Sequence, residues 1–126
     1  MDVTATVVTS PASNHNVPWH NVNVAHIGVL SAGATFTGFN APIVTELVDV
    51  LVDGALDGKV VRRALTIFNR SGQTLTFTHQ DVGSLAANRI ITGSGASPGA
   101  ATVNDGGVIE LLYNPIDARW AIIAIR

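Results

Sequence analysis

Strict two-residue alternation in "QTLTFTH" (73–79) is the feature that most narrows the fold. Thr74, Thr76 and Thr78 fall on one side of an extended chain, and Leu75, Phe77 and His79 on the other. That period marks a half-buried β-strand. Further strand candidates are "VNVAHIGVL" (22–30), "ATFTGF" (34–39), "NRIITG" (88–93), "VIELLY" (108–113) and "RWAIIAI" (119–125), while residues 2–9 alternate more weakly. Gly, Pro, Asn and Ser clusters separate them at intervals of about 8–12 residues, which points to an all-β fold. The expected architecture is an antiparallel β-sandwich or a jelly-roll-like barrel. "KVVRRALTIFN" (59–69) and "QTLTFTH" are expected to form a hairpin across "RSG", and the last two strands another across "NPIDA". The final strand is apolar from Ala121 to Ile125, which predicts burial on both faces. Trp120 opens it and is expected in the core, its N–H bonded to a carbonyl.

One segment reads both ways. In "APIVTELVDVLVDG" (41–54), Val44, Leu47, Val48, Leu51 and Val52 lie at helical spacing. Its β-branched residues favour a strand instead. A strand is expected, with a short helix near 43–53 as the alternative.

A chain of 126 residues and 13.1 kDa is most simply one domain, 1–126. Area scaling for that mass gives about two-thirds of the surface buried on folding, enough for a core without staples. Cysteine is absent, which removes disulfides and thiolate metal sites. Residues 1–21, with "SPASNHNVPWHN" at 10–21, read as an extended N-terminal arm or loop. Charged residues make up only 13% of the chain, against about 25% in ordinary globular proteins. Only Lys59 is a lysine, and 47% of residues are apolar. Interface cores are depleted in Lys, Glu and Asp, so this composition fits a chain that works inside an assembly. A net charge of −2 without a basic stripe argues against nucleic-acid binding. No 18-residue apolar run suggests a membrane span, and "MDVTATVVTSPASN" lacks the features of a signal peptide.

The polar residues after "LTFTH" invite a catalytic reading, since Ser84, His79 and Asp81 lie within a few positions of one another. A triad needs a nucleophile held by an oriented base beside an oxyanion hole, and nothing here presents Ser84 on a rigid turn. Loop bracing is the better expectation. Asp81 and Arg89 would pair across the loop neck, while His79 and Asn88 would bond backbone groups that the loop leaves open. "GASPG" (95–99) matches G-x-S-x-G, but Pro98 follows the serine and has no N–H to give an oxyanion. "GSGASPG" misplaces the third glycine of a dinucleotide fingerprint. His15, His20 and His26 spread over a loop and a strand, so no metal site is expected. "NRS" (69–71) fits a glycosylation sequon without a secretion signal beside it. No catalytic residue and no cofactor is expected, and the chain does not read as an enzyme. His15, Trp19 and His20 are the candidates for contact with a partner.

"LTIFNRSGQTLTFTHQDVGSLAANRIITGSG" followed by "GGVIELLYNPIDARWAI" resembles a β module of tailed-bacteriophage virion proteins. The resemblance is carried by Asn69, Ser71, Gly72, His79, Ser84, Asn88, Arg89, Tyr113, Arg119 and Trp120, over a little under half the chain. It implies a β-rich structural component of the virion, often a homotrimer, in tail fibres, baseplate-associated proteins or capsid decorations. The family offers no catalytic residue. One small module suits a capsid decoration or cement protein, bound as an oligomer to the major capsid protein or other virion proteins. A receptor- or glycan-binding module of a tail fibre or baseplate is the alternative, with "NHNVPWHN" as its only candidate site.

Overall fold

The computed structural model describes residues 4–7, 12–18, 24–42, 47–52, 55–61, 64–93, 98–114 and 116–126. The described residues are all-β apart from a 3-10 turn at Ala86–Asn88. The strands are β1 (Thr4–Val7), β2 (Ser13–Asn14), β3 (Val24–Ile27), β4 (Thr35–Phe36), β5 (Leu47–Val52) and β6 (Ala55–Val61). They continue as β7 (Ala64–Asn69), β8 (Leu75–Phe77), β9 (Ile90–Ile91), β10 (Ala101–Val103), β11 (Val108–Asn114) and β12 (Arg119–Ile125). A six-stranded sheet runs β1-β3-β7-β11-β12-β9, a four-stranded sheet β10-β8-β4-β2, and among the described residues β5 pairs with β6 alone. The expected sandwich is present, but its strand directions are mixed. β3 runs parallel to β1 and β7, β12 parallel to β9, and β4 parallel to β2 and β8.

The core lies between the two larger sheets. From the six-stranded sheet it takes Ala25, Ile27, Leu65, Ile67, Ile109, Leu111, Tyr113 and Trp120, and from the other Phe36, Leu75, Phe77 and Val103. These are the alternate positions of each strand, as the two-residue period requires. An aromatic chain joins the layers. Phe36 stacks on Phe77 at 5.1 Å and on Phe39 at 5.7 Å, and Phe39 meets the edge of Trp120 at 6.4 Å. Tyr113 closes the series at 5.2 Å from Trp120. Each such ring contributes about 1.5–3 kcal/mol through burial alone. Trp120 is fully buried as expected, and its Nε1–H donates to the Phe39 carbonyl at 2.9 Å.

Three strand expectations are corrected. Residues 59–69 are not one strand: β6 ends at Val61, and β7 starts at Ala64 in a different sheet. Nor do β7 and β8 form a hairpin across "RSG". β7 lies between β3 and β11, whereas β8 lies between β4 and β10, so the turn is a corner between layers. The cause is Asn69, which is fully buried. Its amide donates to Gln73 O at 2.7 Å and Val103 O at 2.9 Å, while its Oδ1 accepts from Ser71 N and Oγ. These bonds fold the chain over onto the second sheet, and they seal the sequon asparagine inside.

The final strand is the third correction. Ile123 is 57% exposed and Ile125 45%, so β12 is not buried on both faces. A register shift between Glu110 and Leu111 pairs Ala124 with Glu110 and Ile122 with Leu111, leaving Ile123 without a cross-strand partner. A bulge of this kind breaks the in-out alternation. In the ambiguous segment, Leu47–Val52 is a strand. The expected N-terminal arm is tied down at two places, where β1 pairs along β3 and β2 along β4.

Candidate functional site

The loop after β8 and the segment that follows β2 build one polar junction at an end of the sandwich. Gln80 starts the loop with φ +48°, and Asn16 has φ +46°, a left-handed conformation that asparagine tolerates better than most residues. From β4 to Phe39 the chain runs between these two segments. Gly38 sits so close to the Asn88 carbonyl and the Ser84 side chain that a Cβ there would overlap both. Gly83 is similarly pressed against the His15 ring.

Ser84 lies at the centre, 2% exposed. Its Oγ accepts from the Asn16 N–H at 2.9 Å and shares a hydrogen bond with Thr37 Oγ1 at 2.7 Å. Thr37 Oγ1 also lies 2.7 Å from His15 Nδ1 and 3.2 Å from the Asn14 carbonyl. If Ser84 donates to Thr37, the Thr37 hydroxyl can donate to a bare His15 Nδ1, or turn to Asn14 O when that nitrogen carries its proton. Both ring states are accommodated without moving the backbone. Around this row, Asn16 Oδ1 accepts from Leu85 N at 2.7 Å and from Asn88 Nδ2 at 2.8 Å. Asn88 Oδ1 accepts from Ala41 N at 2.8 Å.

The sequence-adjacent Ser84, His79 and Asp81 do not form a catalytic row. His79 Nδ1 accepts from Thr92 N at 3.1 Å. Asp81 takes the Gly83 N–H at 2.8 Å and the Thr78 hydroxyl at 3.0 Å. Those two bonds and the nearby His15 and Arg89 charges outweigh partial desolvation and hold the Asp81 carboxyl below its usual range, the Gly83 bond contributing most. Arg89 is not ion-paired with Asp81 as expected. Its Nε donates to the Ser84 carbonyl at 3.0 Å, because the loop curls that carbonyl back toward the neck.

Of the expected partner contacts, His15 is exposed and bonded to Thr37, while Trp19 and His20 lie outside the described residues. His26 lies on the outer side of β3, stacked on Phe68 at 5.0 Å, on a different sheet from the chain around His15. The G-x-S-x-G serine, residue 97, is outside the described residues as well. Three residues of the resemblance fasten this end from the other sheet. Tyr113 Oη donates to Ala87 O at 3.0 Å, Arg119 Nε donates to Gln80 Oε1 at 2.7 Å, and the Trp120 N–H donates to Arg89 O at 2.9 Å. Sequence reading missed the pairing of Ser84 with Asn16, 68 positions apart, and with Thr37, 47 apart. The only signals were Gly38 and Gly83, small residues where a close approach needs them.

The other notable surface is the outer side of the six-stranded sheet. It carries Val24 and His26 from β3, Thr66 and Phe68 from β7, and Val108, Glu110 and Leu112 from β11, next to Ala121 of β12. Glu110 is its one acidic residue among these, ion-paired with Arg126 at 2.9 Å. Arg70 lies over the Phe68 ring at 5.4 Å. No family model, no curated protein and no solved structure matches this chain.

Proposed function

We propose that this chain is a structural virion protein of a tailed bacteriophage, a capsid decoration or cement protein that binds the assembled shell as an oligomer. One observation carries the reading. The polar side chains of the resemblance are engaged in holding turns and junctions, as with Asn69, Ser71, Ser84, Asn88 and Arg119, while the half-buried outer face of the six-stranded sheet carries Val24, Phe68, Val108, Leu112 and Ala121 beside His26, Thr66 and Glu110. A chain that spends its polar groups on rigidity and presents an apolar face is suited to contact other proteins over an area.

The mechanism is mass action. A protein that binds only the assembled shell stabilises it, and several identical contacts per oligomer give avidity without a strong individual interface. The experiment is to add the purified protein to phage shells assembled without it and image them by cryo-electron microscopy. Ordered density at symmetry axes, together with a raised thermal midpoint of the shell, is the expected result. Failure to bind shells combined with binding to host cells or glycans would overturn it in favour of a tail-appendage role.

A further inference from the structure

Among the described residues the β5–β6 hairpin pairs with no strand of the two larger sheets. Among the described residues its strands pair only with each other, from Leu47↔Val61 to Val52↔Ala55. Their sequences, "LVDVLV" and "ALDGKVV", are mostly apolar. A lone two-stranded hairpin is marginal in water, and each of its outer edges presents unpaired N–H and C=O groups. The hairpin therefore needs a third strand.

Reach decides where that strand is not. β6 ends at Val61 and β7 begins at Ala64, so three Cα steps join them, spanning at most ~11 Å. β7 is an interior strand, with β3 and β1 on one side and β11 and β12 on the other. A strand added beyond β12, or beyond β1, lies three strand spacings from β7, about 14 Å. Both are too far for Val61, so neither edge of its own six-stranded sheet along these strands is open to the hairpin.

An apolar acceptor edge is present on the same molecule. β9 pairs with β12 only at Trp120 and Ala121, so among the described residues Ile122–Ile125 have no strand on that side. Ile123 and Ile125 are exposed there. The stretch is unbroken aliphatic sequence, whereas β1 reads "TATV". Charged residues and prolines are usual guards of an edge and none stands between Ile122 and Ile125, where the bulge at Ile123 is the one guard present.

We propose that the β5–β6 hairpin of one copy adds as strands to the free β12 edge, Ile122–Ile125, of a neighbouring copy. This deepens the oligomeric part of the proposed function and rests on it only there. Main-chain bonds supply the attachment, and the mostly apolar sequence of the hairpin suits an edge that is aliphatic from Ile122 to Ile125. Because donor and acceptor are different surfaces, the contact passes from copy to copy and must close into a ring to remain finite.

The cysteine-free chain makes the test direct. Two single variants, Val48→Cys and Ile123→Cys, are mixed and treated with a short bismaleimide, with Trp120 fluorescence as the check that each is folded. A crosslinked heterodimer joining positions 48 and 123 is expected, and full-length Ile123→Asp should fall to monomer mass in light scattering. A wild-type chain that is monomeric at high concentration overturns the proposal. So does an oligomer that survives Ile123→Asp without the 48–123 link, or a monomeric double variant that crosslinks internally. Shell binding separates the two readings. A monomer that still binds shells sinks only the hairpin exchange, and a crosslinked ring that ignores shells sinks only the cement role.

Discussion

Replacing Ser84 by alanine removes the acceptor of the part-buried Asn16 N–H and one partner of the Thr37 hydroxyl, which keeps His15 Nδ1 and the Asn14 carbonyl. A buried group left unsatisfied costs about 1–3 kcal/mol, so Ser84→Ala should destabilise toward the low end of that range in urea or guanidinium titration. Ser84→Ala with unchanged stability would mean that the junction is not what holds the segment after β2 in place. Asp81 acts at the same junction through charge. Its folded pKa lies below the ordinary 3.8, so its contribution is fully present above that value and is lost as pH falls through the lower folded one. Exchange of the Gly83 amide should therefore accelerate on acidification below about pH 4 relative to core amides, after correction for intrinsic rates. Asp81→Ala, which removes the acceptor, should exchange fast already at neutral pH and show little further change. An Asp81→Ala profile that tracks wild type would remove Asp81 from the brace.

Two glycines test the elements that turn the chain. Gly72 follows β7 at the inter-sheet corner with φ +80°, and Gly106 precedes β11 with φ +83°. Neither has an atom near the place of a Cβ, so alanine meets no clash and the cost is conformational alone. Gly72→Ala and Gly106→Ala are each expected to lose about 1–2 kcal/mol in chemical denaturation. A larger loss at Gly72 would show that its N–H bond to Asp105, at 2.8 Å, also fails. Strand positions were legible because alternation is a local property, and the Thr/Leu/Phe alternation around Leu75–Phe77 shows it plainly. Their sheet assignment was not. "RSG" suits a hairpin or a corner equally, and the choice is made by Asn69 reaching Val103 O, 34 positions away. The β12 bulge was hidden for the same reason, since it is a property of two strands and not of "RWAIIAI" alone. At the junction, the bonding of His79 and Asn88 to backbone N–H groups followed from the chain's own polarity. Ser84's partners did not, because they come from segments far along the chain.

As a whole molecule the protein has a sandwich with a largely apolar outer sheet face and a hairpin whose strands, among the described residues, pair only with each other. If copies associate, folding is linked to concentration, and the thermal midpoint should rise as protein concentration is increased over a hundredfold range. A flat midpoint with monomer mass throughout would count against assembly at any of these surfaces. The mixed topology has a consequence for how the chain is made. β3 has only β1 and β7 as neighbours, and β4 only β2 and β8. Early in synthesis the first strands can form no more than short parallel pairs, too small to persist. The sheets gain their middle strands once Ala64–Asn69 and Leu75–Phe77 emerge, and β11 and β12 come later still. Until then the aliphatic residues of Leu47–Val61 leave the ribosome with nothing to pack against, in a chain whose long-range pairings close slowly. Slow codons placed just before Val108, when residues 47–61 have left the ribosome and β11 and β12 are not yet made, should therefore lower soluble yield, while the same codons near the start of the message should leave it unchanged.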